Sequence, residues 1–138
     1  MIATPMIAIE QLDHLVLTVA DISITCQFYQ SVLGCKVIHF TTGSGDNRCA
    51  LSIGNHQKIN LHSAGSPLQP AARYPQPGSA DLCFLTQTPL SQVVEHLQSC
   101  SISIISGPIR RTGTLGPILS VYIRDPDDNL IEIANVIE

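Results

Sequence analysis

The chain of 138 residues has no tryptophan, and its three Tyr and three Phe amount to only 4% of the sequence. A large flat hydrophobic ligand would find few surfaces to stack on, so a small polar substrate is the better expectation. Charge is equally sparse, at 13% of residues, with seven Lys and Arg against eleven Asp and Glu and a net charge of −4. Without a basic surplus there is nothing to condense on phosphates, and nucleic acid is excluded as a general partner. Long apolar runs are missing too. Ile102–Ile105 and Ile118–Ile123 fall far short of the roughly 20 residues a helix needs to cross a bilayer, so no membrane partner is expected. The first ten residues carry no basic segment and include Pro5 and Glu10, unlike a secretory signal, and the expected location is cytoplasmic. The five cysteines are odd in number and contain no C-x-x-C pair. That suits neither a disulfide framework nor a zinc finger, and buried free thiols are the expectation.

What is present is apolar character: 44% of residues are hydrophobic, enough to exclude intrinsic disorder, and the length fits one compact domain. Residues 13–20 alternate in the strand sense. Asp21 is placed to cap a helix in which Ile22, Cys26, Tyr29 and Leu33 recur at helical spacing, with Gly34 positioned to end it. Strands are expected over 35–41, 48–53 and 58–62, with the Gly43–Asn47 segment as a hairpin loop. Residues 64–79 hold Pro67, Pro70, Pro75 and Pro77 and read as an extended linker. The order then restarts. A strand is expected over 81–86, then a helix opened by Thr88 as cap and Pro89 in its first turn, running to about Ser99. A strand over 102–105, a loop over 107–117, a strand over 118–124, a turn at Asp125–Asn129 and a closing strand over 130–136 follow. The expected fold is α+β: two βαβββ modules, about 12–63 and 80–136, forming a curled mixed sheet in a single domain.

The repeat draws attention to four residues. His14 and Asp81 begin the first strand of each module, and His62 and Glu132 lie within the last, each alternating against hydrophobic neighbours. An isolated acid or imidazole facing the inside of a sheet is costly unless paired or coordinated. Two imidazoles and two carboxylates suit a divalent ion such as Ni, Zn, Co, Fe or Mn, without choosing among them. The histidines without such pairing, His39, His56 and His96, are expected to face solvent.

Leu12-Asp-His-Leu-Val-Leu-Thr-Val, Phe28-Tyr29 ahead of Leu33-Gly34, and Arg124-Asp-Pro-Asp-Asp-Asn-Leu-Ile-Glu132 together resemble the vicinal oxygen chelate superfamily of glyoxalase I, bleomycin-resistance proteins and extradiol dioxygenases. Asn60-Leu-His62, the Pro-rich linker, Arg111-Thr-Gly and Gly116-Pro-Ile are similar, more narrowly, to the glyoxalase domain-containing protein 5 group and its bacterial relatives. The resemblance implies a sheet cupping a divalent metal held by His14, His62, Asp81 and Glu132, and a homodimer. Relative to bacterial glyoxalase I, the second and third ligands, usually Glu and His, are here His62 and Asp81. The implied activity is that of a metal-dependent lyase or isomerase acting on a small vicinal-oxygen substrate through an enediolate. Glu132 would be the general base, and Arg110 or Arg111 would bind an anionic substrate end. The alternatives are a non-haem Fe(II) dioxygenase and a non-catalytic protein that sequesters a toxin or antibiotic.

Overall fold

The computed structural model describes residues 6–138. The first module runs β1 (His14–Val19), α1 (Ile22–Ser31), β2 (Lys36–Thr41), β3 (Asn47–Ile53) and β4 (Gln57–Ser63). The second repeats that order with β5 (Asp81–Leu85), α2 (Leu90–Ser99), β6 (Ser106–Gly113), β7 (Gly116–Arg124) and β8 (Leu130–Val136). Each module closes its own four-stranded sheet, ordered β1-β4-β3-β2 and β5-β8-β7-β6. In each sheet the first strand lies parallel to the last, and the remaining pairs are antiparallel. The architecture is α+β, with two βαβββ modules that each carry a separate four-stranded mixed sheet, in place of the one curled sheet expected.

The helices form where local chemistry anticipates them. Asp21 Oδ1 accepts the Ile24 amide at 3.0 Å, satisfying an N–H that the first turn of α1 leaves without a partner. At the other end the chain leaves the helix through Gly34, at φ +70°, where a Cβ would be strained. Helix α2 departs from expectation. Pro89, and not Thr88, sits at the cap position, and no side chain of its own segment caps the helix. Asn135 of β8 does so instead: its Oδ1 accepts the Leu90 amide, while its Nδ2 donates to the Thr86 and Thr88 carbonyls.

The second module holds the largest correction. Residues 102–105 join no ladder as a strand; Ile102 and Ile104 alternate because they pack onto the core from a connecting segment. The expected loop at 107–117 is instead β6 and the start of β7, joined at Gly113 and Gly116 across two turn residues. Gly107 and Pro108 argue against a strand on composition, yet β6 is the edge of its sheet and its register shifts between Ser106 and Ile109. A bulge at an edge is where both residues are tolerated. Gly107 has φ +101°, and a Cβ there would run into the Ser120 carbonyl.

A single hydrophobic cluster joins the modules. Leu17, Val19, Tyr29, Leu51, Ile59 and Leu61 of the first share it with Leu97, Val121, Ile123, Ile131 and Ile133 of the second. The Asp125–Asn129 turn fastens the two together. The Tyr29 hydroxyl donates to Asp125 Oδ2 at 2.6 Å, and the Ala20 amide donates to Asp127 Oδ1 at 3.2 Å. His96, on the exposed face of α2, is also drawn across, with its Nε2 2.8 Å from the Val32 carbonyl oxygen at the end of α1.

Candidate functional site

Strand alternation gives each sheet one face toward its helix and the core, and one face away from it. In the first sheet Leu17, Val19, Ile59 and Leu61 are buried on the inner face. The outer face carries His14, Val16 and Thr18 beside Lys58, Asn60 and His62. In the second sheet the outer face carries Asp81 and Cys83 beside Leu130 and Glu132, with Tyr122 and Arg124 on the next strand. All four expected ligands therefore stand on outer faces, His14 and His62 on one sheet, Asp81 and Glu132 on the other.

Within one chain these two halves do not meet. Among the described residues no group of three or more His, Cys, Asp and Glu side chains could hold a metal ion. His14 is exposed, with its Nδ1 2.7 Å from Asp13 Oδ2. His62 lines a cavity of about 860 Å³ that also touches His39 and Arg48. It further lines a smaller one of about 140 Å³, beneath Pro67, Pro70 and Pro75. The Pro-rich segment is thus a partial cover for the His62 end of the sheet as well as a connection. Asp81 and Glu132 line a separate recess of about 420 Å³ with Ser106, Arg111, Tyr122 and Arg124.

Register also refines the internal repeat. Asp81 pairs with Leu130, and Glu132 lies two residues farther along β8. His14 pairs with Lys58, and His62 lies four residues farther along β4, opposite Thr18. At a rise of about 3.3 Å per residue, that is about 13 Å along the strand rather than about 7 Å. The position in the first module that corresponds to Glu132 is therefore Asn60. Its Oδ1 is buried and has no hydrogen-bond partner among the described residues. The paired-strand offsets are the signal that locates it; matching Leu61-His62 to Ile131-Glu132 by residue type alone misses it.

The recess of Asp81 and Glu132 is the more organised of the two. The Ser120 hydroxyl donates to Glu132 Oε2 in a short hydrogen bond. Burial, and then the Glu132 carboxylate beside it, push the Cys83 thiol up to about 11. Cys83 therefore stays largely protonated near neutral pH. Arg111 Nε donates to the Tyr122 hydroxyl at 3.1 Å, and its guanidinium lies 5.7 Å from the ring centroid. The structure separates the two arginines that the sequence grouped: Arg111 lines the recess with Asp81 and Glu132, whereas Arg110 pairs with Leu119 on the alternate face.

The His62 imidazole is held below its ordinary value of 6.5 by burial and by the charge of Arg48. The unfolded chain therefore binds a proton at this site at a pH where the folded chain does not. Stability should then fall as pH drops from about 6.5 through the folded value. His62→Asn should flatten that part of the pH–stability curve, and Arg48→Gln should move the His62 NMR titration midpoint upward. A midpoint unchanged by Arg48→Gln would count against the charge contribution.

Residues 11–133 match the model of the Glyoxalase/Bleomycin resistance protein/Dioxygenase superfamily. The chain belongs to that superfamily. Over 129 residues it is 52% identical to a virulence protein of Salmonella typhimurium, covering 94% of this chain and 86% of the relative. It is 46% identical to a glyoxalase domain-containing protein of Mycosarcoma maydis, covering 94% and 70%. A structure from the mobile metagenome of V. Pseudocholerae superposes with a TM-score of 0.89 at 48% identity, covering 96% of this chain and 99% of the other. The superfamily fold extends to more distant structures. An antibiotic-binding protein from a Streptomyces species has a TM-score of 0.72 at 18% identity, covering 94% and 98%. A lactoylglutathione lyase from Agrobacterium tumefaciens has a TM-score of 0.67 at 19% identity, covering 93% and 95%.

Proposed function

We propose that this superfamily member is a homodimeric, divalent-metal-dependent lyase or isomerase of the glyoxalase I type. Each site would be built from the outer face of one chain that carries His14 and Asn60, with His62 at its far end, and the Asp81 and Glu132 face of a second copy. The observation that carries the reading is the division of the donor set, with two imidazoles on one outer sheet face and two carboxylates on another. Neither half suffices alone, but together they have the donor chemistry of a divalent-ion site. The Oδ1 of Asn60, on the same face as His14 and without a hydrogen-bond partner among the described residues, adds a further oxygen donor.

A divalent ion held by these donors would supply Lewis acidity to the substrate. The chain's own residues do the rest. Glu132, oriented by the Ser120 hydroxyl, removes the proton from the carbon beside the substrate carbonyl and returns it to the neighbouring carbon. Arg111, braced against Tyr122, offers its remaining guanidinium N–H groups to an anionic end of the substrate. The 46% identity to a glyoxalase domain-containing protein supports the glyoxalase reading.

Metal analysis joined to sedimentation equilibrium tests the reading. The expected result is a species of twice the chain mass with about one chelator-removable divalent ion per chain, and hemithioacetal turnover that disappears with the ion. A monomer with full metal content would overturn the shared site. One observation favours a second reading, sequestration of a small molecule without catalysis: among the described residues the chain by itself brings no three metal donors together. A metal-free dimer that binds a small molecule tightly and leaves it unchanged would establish that alternative.

A further inference from the structure

The 860 Å³ cavity contains a feature that the proposed reaction does not use. Helix α1 and strand β3 each set a cysteine into its wall, Cys26 and Cys49, with their Sγ atoms 3.2 Å apart. Local rules put them there. Cys26 follows Ile22 by four residues, on the α1 face turned toward the sheet. Cys49 pairs with Leu61, whose side chain lies in the core beneath the helix. Access to the two sulfurs differs: Cys49 is 8% exposed, whereas Cys26 is half-buried and opens onto the cavity. Two of the other thiols have partners elsewhere, Cys83 beside Glu132 and Cys100 with its Sγ 3.7 Å from His96 Nε2.

We propose that Cys26 and Cys49 form a reversible redox site, closed to an intrachain disulfide by a peroxide that enters through the cavity. The Cys26 sulfur attacks one peroxide oxygen; an S–O bond forms, the O–O bond breaks, and one water leaves carrying the thiol proton. Cys49 then attacks the oxidised sulfur; the S–S bond forms, the S–O bond breaks, and a second water leaves with the Cys49 proton. Two thiols and one hydrogen peroxide become one disulfide and two waters, with the peroxide reduced by two electrons. Closing from 3.2 Å to a bond of about 2.05 Å requires about one ångström of movement, within the reach of side-chain adjustment.

Because the thiolate is the attacking form, burial and the neighbouring Cys49, which push Cys26 up to about 12, make the first step slow near neutral pH and faster as pH rises. Once Cys26 is oxidised, closure is favoured by the contact already in place. The bond ties α1 to β3 across a cavity that also holds His62 and Arg48, and so couples oxidation to the shape of that end of the outer face.

The test uses the reduced full chain exposed to one equivalent of hydrogen peroxide at mildly alkaline pH. The expected product has three free thiols instead of the five in the sequence and a mass lower by two hydrogens. Non-reducing digestion should yield a linked Cys26–Cys49 peptide pair, and a dithiol should reverse every change. Cys26→Ala, Cys26→Ser and Cys49→Ser should each abolish the linked pair, while Cys83→Ser and Cys100→Ser retain it. Addition of oxygen to Cys26 without loss of the Cys49 thiol would overturn the proposal, as would linkage through Cys83.

Discussion

Asp125→Ala is expected to lower the stability of the folded chain by about 3 to 5 kcal/mol, because the carboxylate is the hub of the contact between modules. Asp125 is 4% exposed. Its Oδ2 accepts from the Tyr29 hydroxyl and from Asn129 Nδ2, and its Oδ1 from the amides of Asp127 and Asn129. Alanine would leave four donors to find new partners, three of them on the turn itself and one, the Tyr29 hydroxyl, carried by α1. Tyr29→Phe removes a single donor and leaves Asp125 with the other three, so its cost should be nearer 1 kcal/mol. Since domains of this size are stable by about 5 to 15 kcal/mol, the first change would consume a large share of the total. The thermal midpoint should fall by about 10 °C or more for Asp125→Ala and by a few degrees for Tyr29→Phe. Equal effects from the two substitutions would show that the carboxylate is not the centre of the network.

The second large effect concerns the proposed site. His14→Ala and Glu132→Ala should each reduce bound metal and turnover to near background while the chain remains folded, since both residues are on outer faces away from the core. Mixing the two variants under conditions that exchange subunits should restore about a quarter of the wild-type level. Half of the dimers would then be mixed, and each mixed dimer would hold one site free of both substitutions and one carrying both. A site contained within a single chain would gain nothing from mixing. Failure to recover, with exchange verified by mass, would dismiss the shared arrangement while leaving the membership of the superfamily untouched.

Much of the molecule was legible in the order of its residues because the relevant physics is local. Alternation over 13–20 and 130–136 depends on neighbours two apart, the capping of α1 by Asp21 on residues three apart, and the turn at Gly34 on one backbone angle. The repeat of βαβββ followed from those elements, whereas the placement of His14, His62, Asp81 and Glu132 on faces turned away from the core did not. Tertiary structure decided the remainder, for one reason: partners distant in sequence. Asn135 caps α2 from 45 residues away. Strand β6 exists because an edge position accommodates Gly107 and Pro108 through a bulge, which composition alone counts as evidence for a loop. The register of β1 on β4 set Asn60, rather than His62, in correspondence with Glu132. The same pairing rules turned Arg111 toward the recess and Arg110 to the alternate face. Residue type and spacing specify which face a side chain occupies within its own strand. How far along its neighbour that strand lies, and whether two faces of one chain can meet, is settled only by the turns and the packed core that bring the strands together.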